Sequence, residues 1–438
     1  MLAQVAGKVP FTFAVDVPST MMTDSLGEEF HTRFVYREHH NLVTCDKFVA
    51  IVPLITTYAL LPDVNALVLG GNRHIFDLIH PHVVDACAQG RCVLLFDASP
   101  EGDPFIEKAY EALHLWLDQR SISKRSVLIT TQNRVLAKAY KDRFGDGVSI
   151  LSYDAYIKRM LLALSRNGTE FTSIFGFPKS RLSFCTQLDK KATFLSMNGT
   201  PRSNRIVAAA GMLKAGILDD AIWSMLGGSS NKMDPSEEGA RQFRTIHGLN
   251  WITDQDIENL LHLTPRFIEI EDFANFQIAD ANELAIQLSI DVFERSFASI
   301  VTETEFSDGG VRRITEKSIK PLAAGHPFVI LGNPSSLPLI RELGFVTFGD
   351  FINEEYDDIS DVGLRLNAAL SATQQLREIK MRNERKEIEA IGNVCLENIS
   401  VASNLAKTNY ENIYDRGLIA ALEQLLVGGL VVGECSLQ

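Results

Sequence analysis

The sequence lacks a surplus of positive charge, paired cysteines, an apolar run of membrane-spanning length and both common glycine fingerprints of nucleotide-binding loops. Each absence removes a class of function. A formal net charge of -13 opposes broad association with nucleic acid or anionic membrane, so any polyanionic ligand must meet a local basic patch. The six cysteines, Cys45, Cys87, Cys92, Cys185, Cys395 and Cys435, form no CxxC pair and read as reduced thiols, not as a zinc site or disulfide framework. The apolar run Leu425 to Val432 is far shorter than the roughly 20 residues a bilayer requires. No basic segment followed by an apolar core opens the chain, so the expectation is a cytoplasmic protein without a signal peptide. Without GxxxxGK[ST] or GxGxxG, neither a P-loop nucleotidase nor a nicotinamide dehydrogenase is supported.

What is present is an alternation of short apolar runs with helical patterns. Cys92 to Phe96, Ser126 to Thr130 and Val148 to Leu151 read as strands, with helices at Ala109 to Gln119 and Val135 to Phe144 between them. Ala66 to Leu69 reads as an earlier strand, and Phe48 to Leu61 is strand-like but interrupted by Pro53. A second series runs through Ala192 to Met197, Ser299 to Thr302, Phe328 to Leu331 and Phe345 to Phe348, with helices at Ile206 to Ala215, Asp254 to Leu263 and Glu283 to Arg295. Strands apolar at nearly every position are those of a parallel sheet covered on both faces. The 438 residues, 46% apolar and 22% charged, are too many for one core. The expected division is 1–185, 186–365 and a mainly helical region 366–438.

Two turns concentrate chemistry. Thr315 reads as a helix N-cap, Gly325 as a left-handed helix end, and Pro321 as a residue that would kink or restart the helix between them. The exposed N–H groups of such a helix start, near Arg312, Arg313 and Lys317, favour a phosphate; a solvated helix start explains the same residues. Asn198 to Arg205 has the layout of strand, glycine-containing turn and helix start, and its two arginines could fork onto a diphosphate or pair with nearby carboxylates.

Ile314 to Gly332, with Thr315-Glu316-Lys317 followed by an alanine and glycine helix end and an apolar strand, resembles the donor-binding motif of fucosyltransferase-like glycosyltransferases. Arg341 to Phe345 resembles the same region in transferase-like proteins of tailed bacteriophages, and Asn198 to Arg205 is similar to the arginine-bearing turn of nucleotide-sugar transferases. The resemblance covers mainly residues 192–350. It implies an α/β fold of two Rossmann-like domains facing a central cleft (GT-B) with a helical C-terminal tail, residues 1–185 binding acceptor and 186–365 binding donor. It implies a nucleotide-sugar donor, nucleotide unspecified, as substrate, and no cofactor or bound metal.

The donor set implied is Asn198, Arg202, Arg205, Arg313, Thr315, Glu316 and Lys317. By this resemblance Glu316 binds ribose or sugar hydroxyls, Lys317 lies near the diphosphate, and Arg202 and Arg205 hold it. An inverting transfer needs a base to take the acceptor hydroxyl proton. Glu101 in the acidic turn Asp97 to Asp103 is the first candidate and Asp97 the second, and helix capping would account for either. His326 reads as a packing residue; Glu303 either orients a hydroxyl or pairs with Arg312 or Arg313. Two other readings stay open: a transferase acting on modified nucleic acid through a local basic groove, and a non-catalytic scaffold that keeps the fold.

Overall fold

The computed structural model describes residues 8–17, 19–20, 22–42, 45–64, 73–166, 190–225, 237–266, 268, 288, 290–406 and 410–428. The expected strand Ala66 to Leu69, Cys185, Cys435 and residues 283–287 and 289 of the expected helix Glu283 to Arg295 lie outside these residues.

In chain order the first elements are β1 (Val9–Phe13), α1 (Glu28–Arg33), β2 (Phe34–Tyr36), β3 (Phe48–Pro53), α2 (Ile75–Leu78), α3 (Pro81–Ala88), β4 (Cys92–Ala98), α4 (Glu107–Gln119), β5 (Val127–Thr131), α5 (Leu136–Phe144), β6 (Ser149–Ser152) and α6 (Ala155–Arg166). They are followed by β7 (Ala192–Asn198), α7 (Ser203–Lys214), β8 (Ala221–Met225), α8 (Glu237–Ile246), α9 (Asp254–Leu261), α10 (Ile290–Glu294), β9 (Ser296–Thr302), α11 (Glu316–Ala324), β10 (Phe328–Leu331) and α12 (Ser336–Glu342). The chain ends in α13 (Val362–Arg382), α14 (Arg385–Asn404) and α15 (Tyr410–Leu426). Two compact units result: Met1–Leu162 with Gly310–Arg313 and Thr408–Gln438, and Ala163–Gly309 with Ile314–Lys407.

The first unit is Rossmann-like, built on a parallel sheet of order β2-β1-β3-β4-β5-β6. All seven residues of β4 are buried, and alternate side chains serve opposite faces as the two-residue period of a strand dictates. Leu94 and Phe96 join Leu113 and Trp116 of α4 on one face. Val93 and Leu95 join Leu418, Leu422 and Leu425 of α15 on the other. α15 is pinned there through Asp415, which accepts from Gly27 N at 2.7 Å and Tyr153 Oη at 3.2 Å and pairs with Lys158. Pro53, the residue that obscured β3 in the sequence, is its last residue, opposite Asp97.

The second unit is also Rossmann-like, with a parallel sheet of order β10-β9-β7-β8. β10 coincides with the expected Phe328 to Leu331. Thr253 caps α9 through a reciprocal pair with Asp256, as its position before an acidic turn anticipates. Three expectations are corrected. Pro321 does not divide α11, which runs from Glu316 to Ala324; a helix this short has few interior bonds for a proline to break. α7 starts at Ser203, three residues before Ile206, so Arg205 belongs to its first turn. Phe345 to Phe348 is not a strand: the Asn398 side chain both donates to Val346 O at 2.9 Å and accepts from Val346 N at 2.8 Å, replacing a sheet partner. Among the described residues no helix is long and apolar enough to cross a membrane.

Candidate functional site

In the second unit the chain leaves β7 for β8 on one side and later places β9 on the other, so the carboxyl ends of β7 and β9 form a topological switch point. Ligands of open parallel sheets bind at such a point because the strand-to-helix turns diverge there. Two helix starts converge on it. Arg202 is the N-cap of α7, and Asn204 in the first turn donates to Glu303 O at 3.4 Å and Thr304 O at 3.3 Å at the end of β9.

Glu303 then organises the second helix start. Its carboxylate accepts from Thr315 N at 2.9 Å, Thr315 Oγ1 at 2.7 Å and Ser318 Oγ at 2.6 Å. Glu303 thus caps α11. Thr315 is the N-cap, its hydroxyl accepting from Lys317 N at 3.4 Å, and Gly325 ends the helix in the left-handed region at φ 66° and ψ 49°.

Around these helix starts lie polar groups whose bonding capacity is not filled. Glu316 is 3% exposed; Oε1 pairs with Lys317 Nζ at 2.7 Å, whereas the buried Oε2 has no partner. Arg205 is 5% exposed, donates through Nη1 to Thr200 O at 3.1 Å, and leaves a buried Nε without an acceptor. Asn198 at the end of β7 donates to Ser196 Oγ at 3.3 Å and keeps Oδ1 buried and unmatched. Buried polar atoms are almost always paired, so three in one region mark a place prepared for further partners.

The electrostatics are strained in the same region. Burial, with Arg202 alongside, brings the Arg205 pKa down to about 10 against the opposing pull of Glu303, Glu316 and Glu305. Burial alone would raise Glu316, but Lys317 and Lys320 hold it below its ordinary value, so it is a carboxylate at neutral pH. The protein crowded around Lys320 lowers that amine to about 8, with Glu316 opposing and Lys317 assisting. Sequence reasoning missed Lys320; its signal was a lysine four residues after Glu316, one helical turn along the same face.

The remaining expected residues belong to the first unit. Asp97, 1% exposed at the end of β4, accepts through Oδ1 from Ser99 N at 3.1 Å, Ser99 Oγ at 2.6 Å and Thr130 Oγ1 at 3.1 Å. Glu101 is partly exposed and pairs with Arg313 Nη2 at 3.0 Å. Arg313, 2% exposed, also donates to Gln132 Oε1 at 3.0 Å. The structure therefore brings Asn198, Arg202, Arg205, Thr315, Glu316 and Lys317 together in the second unit and assigns Arg313 to the first. His326 packs as expected, Nδ1 against Ser299 Oγ and Nε2 against Ser296 O, each at 2.8 Å, and burial lowers its pKa to about 4.

No family model and no curated protein matches the chain. Among solved structures it is similar to the N-terminal domain of Candida albicans trehalose-6-phosphate phosphatase, with a TM-score of 0.43, 11% identity, and coverage of 88% of this chain and 72% of that one. It is similar to an alpha,alpha-trehalose-phosphate synthase (UDP-forming) from Burkholderia vietnamiensis, at 0.42 and 11%, over 97% of this chain and 100% of that one. It is also similar to an E. coli structure described as trehalose-6-phosphate bound with UDP-2-fluoro glucose, at 0.37 and 10%, over 90% and 99%.

Proposed function

We propose that this protein is a glycosyltransferase that moves a sugar from a nucleotide-sugar donor to a hydroxyl-bearing acceptor. The observation that carries the reading is Glu316: a buried carboxylate at a helix start, one oxygen paired with Lys317 and the other without a partner, in the position of the Thr-Glu-Lys donor motif. An acceptor-only oxygen suits a ribose or sugar hydroxyl. The cations Arg205, Arg202 and Lys317, with the N–H groups of α7 and α11, suit a diphosphate.

Stabilising the departing nucleoside diphosphate is the main electrostatic task in such a transfer, and fixed cations and helix starts perform it. The transfer is taken as inverting, with Glu101 as the base that removes the acceptor proton. Asp97 is less suited, because the residue is almost wholly buried, with Oδ1 filled by Ser99 and Thr130 and the unpartnered Oδ2 also out of reach of solvent. Arg313 then serves as a positioning residue for Glu101 and not as a donor ligand.

Ligand-observed NMR with a panel of nucleotide sugars tests this reading. Saturation should pass from the protein to base, ribose and sugar protons of one donor, and Glu316→Ala should abolish it. Absence of transfer to every donor would refute the reading.

A further inference from the structure

At the carboxyl ends of β1 and β2, apart from every group used above, four side chains from three segments meet. Asp16 follows β1, His39 opens the turn His39–Leu42 after β2, and His80 and His82 flank Pro81 at the start of α3. The His80 backbone N–H donates to Ala14 O at 2.9 Å, which fixes the entry of α3 against the end of β1. The rings of His39 and His80 stack with centroids 4.0 Å apart and planes 17° apart, and His39 and His82 stack at 5.0 Å and 24°.

Three ring nitrogens of this stack make no hydrogen bond within the protein. His39 Nδ1, His80 Nε2 and His82 Nε2 are all buried without a hydrogen-bond partner. His80 Nε2 lies 3.4 Å from Asp16 Oδ1. One ligand atom from each of Asp16, His39 and His80 lies within 4.8 Å of the others. Two ligands on a tetrahedral ion with bonds of about 2.0–2.1 Å stand about 3.3–3.4 Å apart. The His80 and Asp16 atoms already have that spacing, and a ring nitrogen of His39 lies within 4.8 Å of both. The Asp16 carboxylate faces solvent and gives an ion a way in.

We propose that Asp16, His39 and His80 bind a divalent transition-metal ion of the zinc type, with His82 stacked beside His39 to orient its ring. Imidazole and carboxylate donors suit zinc and its cobalt substitute better than the hard, oxygen-seeking magnesium or calcium. The ion would join the ends of β1 and β2 to the start of α3; the sugar transfer proposed above does not call on it.

The test uses the full chain after treatment with a chelator. Zinc is titrated against a competing chromophoric chelator, and cobalt binding is followed by visible absorption. The expected result is one ion per chain, with intense bands of tetrahedral cobalt. His39→Ala and His80→Ala should each weaken binding at least about tenfold, and His82→Ala by about tenfold, the scale of a lost orienting contact. His262→Ala, an exposed histidine elsewhere, should change nothing. Zinc should raise the Tm of the wild type but not of a His39→Ala/His80→Ala variant whose metal-free Tm and circular dichroism match the wild type. If that variant unfolds, His80→Gln with the same cobalt readout replaces it. No saturable binding, or binding unchanged in the histidine variants, would overturn the proposal.

Discussion

Arg313 donates to Glu101 Oε2 at 3.0 Å, a pair 212 residues apart in sequence, and the arginine stem crosses directly over Gly102. A Cβ added at Gly102 would overlap Arg313 Cδ and lie 2.9 Å from its Nε. The guanidinium is held at both ends by Glu101 and Gln132 and has little room to yield. Gly102→Ala should therefore destabilise the protein by about 1–3 kcal/mol, the usual scale of overpacking, measured by urea unfolding. An unchanged midpoint would show that the arginine is not fixed there.

A second prediction concerns α15. Lys158 and Asp415 are both fully buried, and Asp415 also accepts from Gly27 N and Tyr153 Oη. Removing one member leaves an uncompensated buried charge, so Lys158→Met should cost about 3–5 kcal/mol. The double variant Lys158→Met/Asp415→Asn should recover part of that loss, because no lone charge remains. Equal stability of the single and double variants would contradict the coupling.

His326 gives the stability curve a defined slope. Its folded pKa is about 4, against 6.5 for an ordinary histidine. Between those values the unfolded chain binds the extra proton, so this contribution to stability is complete above pH 6.5 and is lost as pH falls toward 4. The full effect is about 3 kcal/mol. Urea unfolding at pH 7 and pH 5 should show a drop in the wild type that is smaller in His326→Gln. The same drop in both would assign the slope to other groups.

The proposed donor site carries its own expected pH signature. Lys320, at about 8, carries its charge below that pH and loses it above. Affinity for a nucleoside diphosphate should fall about fivefold between pH 7 and 9, the scale of one partly screened charge. Lys320→Met should flatten that fall. A flat wild-type profile would remove Lys320 from the site.

The fold was legible where local chemistry and burial agree. β10 and the caps Thr315 and Thr253 follow from an apolar run and from hydroxyls before acidic first turns. The strand expected at Phe345 to Phe348 failed because apolar content marks burial, and an asparagine 52 residues away supplied the hydrogen bonds a sheet would have given. The groups proposed to hold a donor were named in the sequence through the Glu316-Lys317 pair and the Arg202 and Arg205 turn. Their organiser was not: Glu303 reads as a salt-bridge partner until its cap onto Thr315 and Ser318 is seen. Asp16, His39 and His80 carry no spacing signal, since only the strand order β2-β1-β3 and the entry of α3 bring them together.

The most direct test of the account is a thermal-shift panel of UDP, GDP, CMP, dTDP and ADP with their sugars against wild type, Lys317→Ala and Arg205→Ala. A ligand bound only to the native state at 100 times its Kd adds about 2.7 kcal/mol. One nucleotide should raise the wild-type Tm by several degrees, with each variant folding normally and losing most of that rise. No shift with any nucleotide at high concentration, or the same shift in both variants, would contradict the placement of the donor at the starts of α7 and α11.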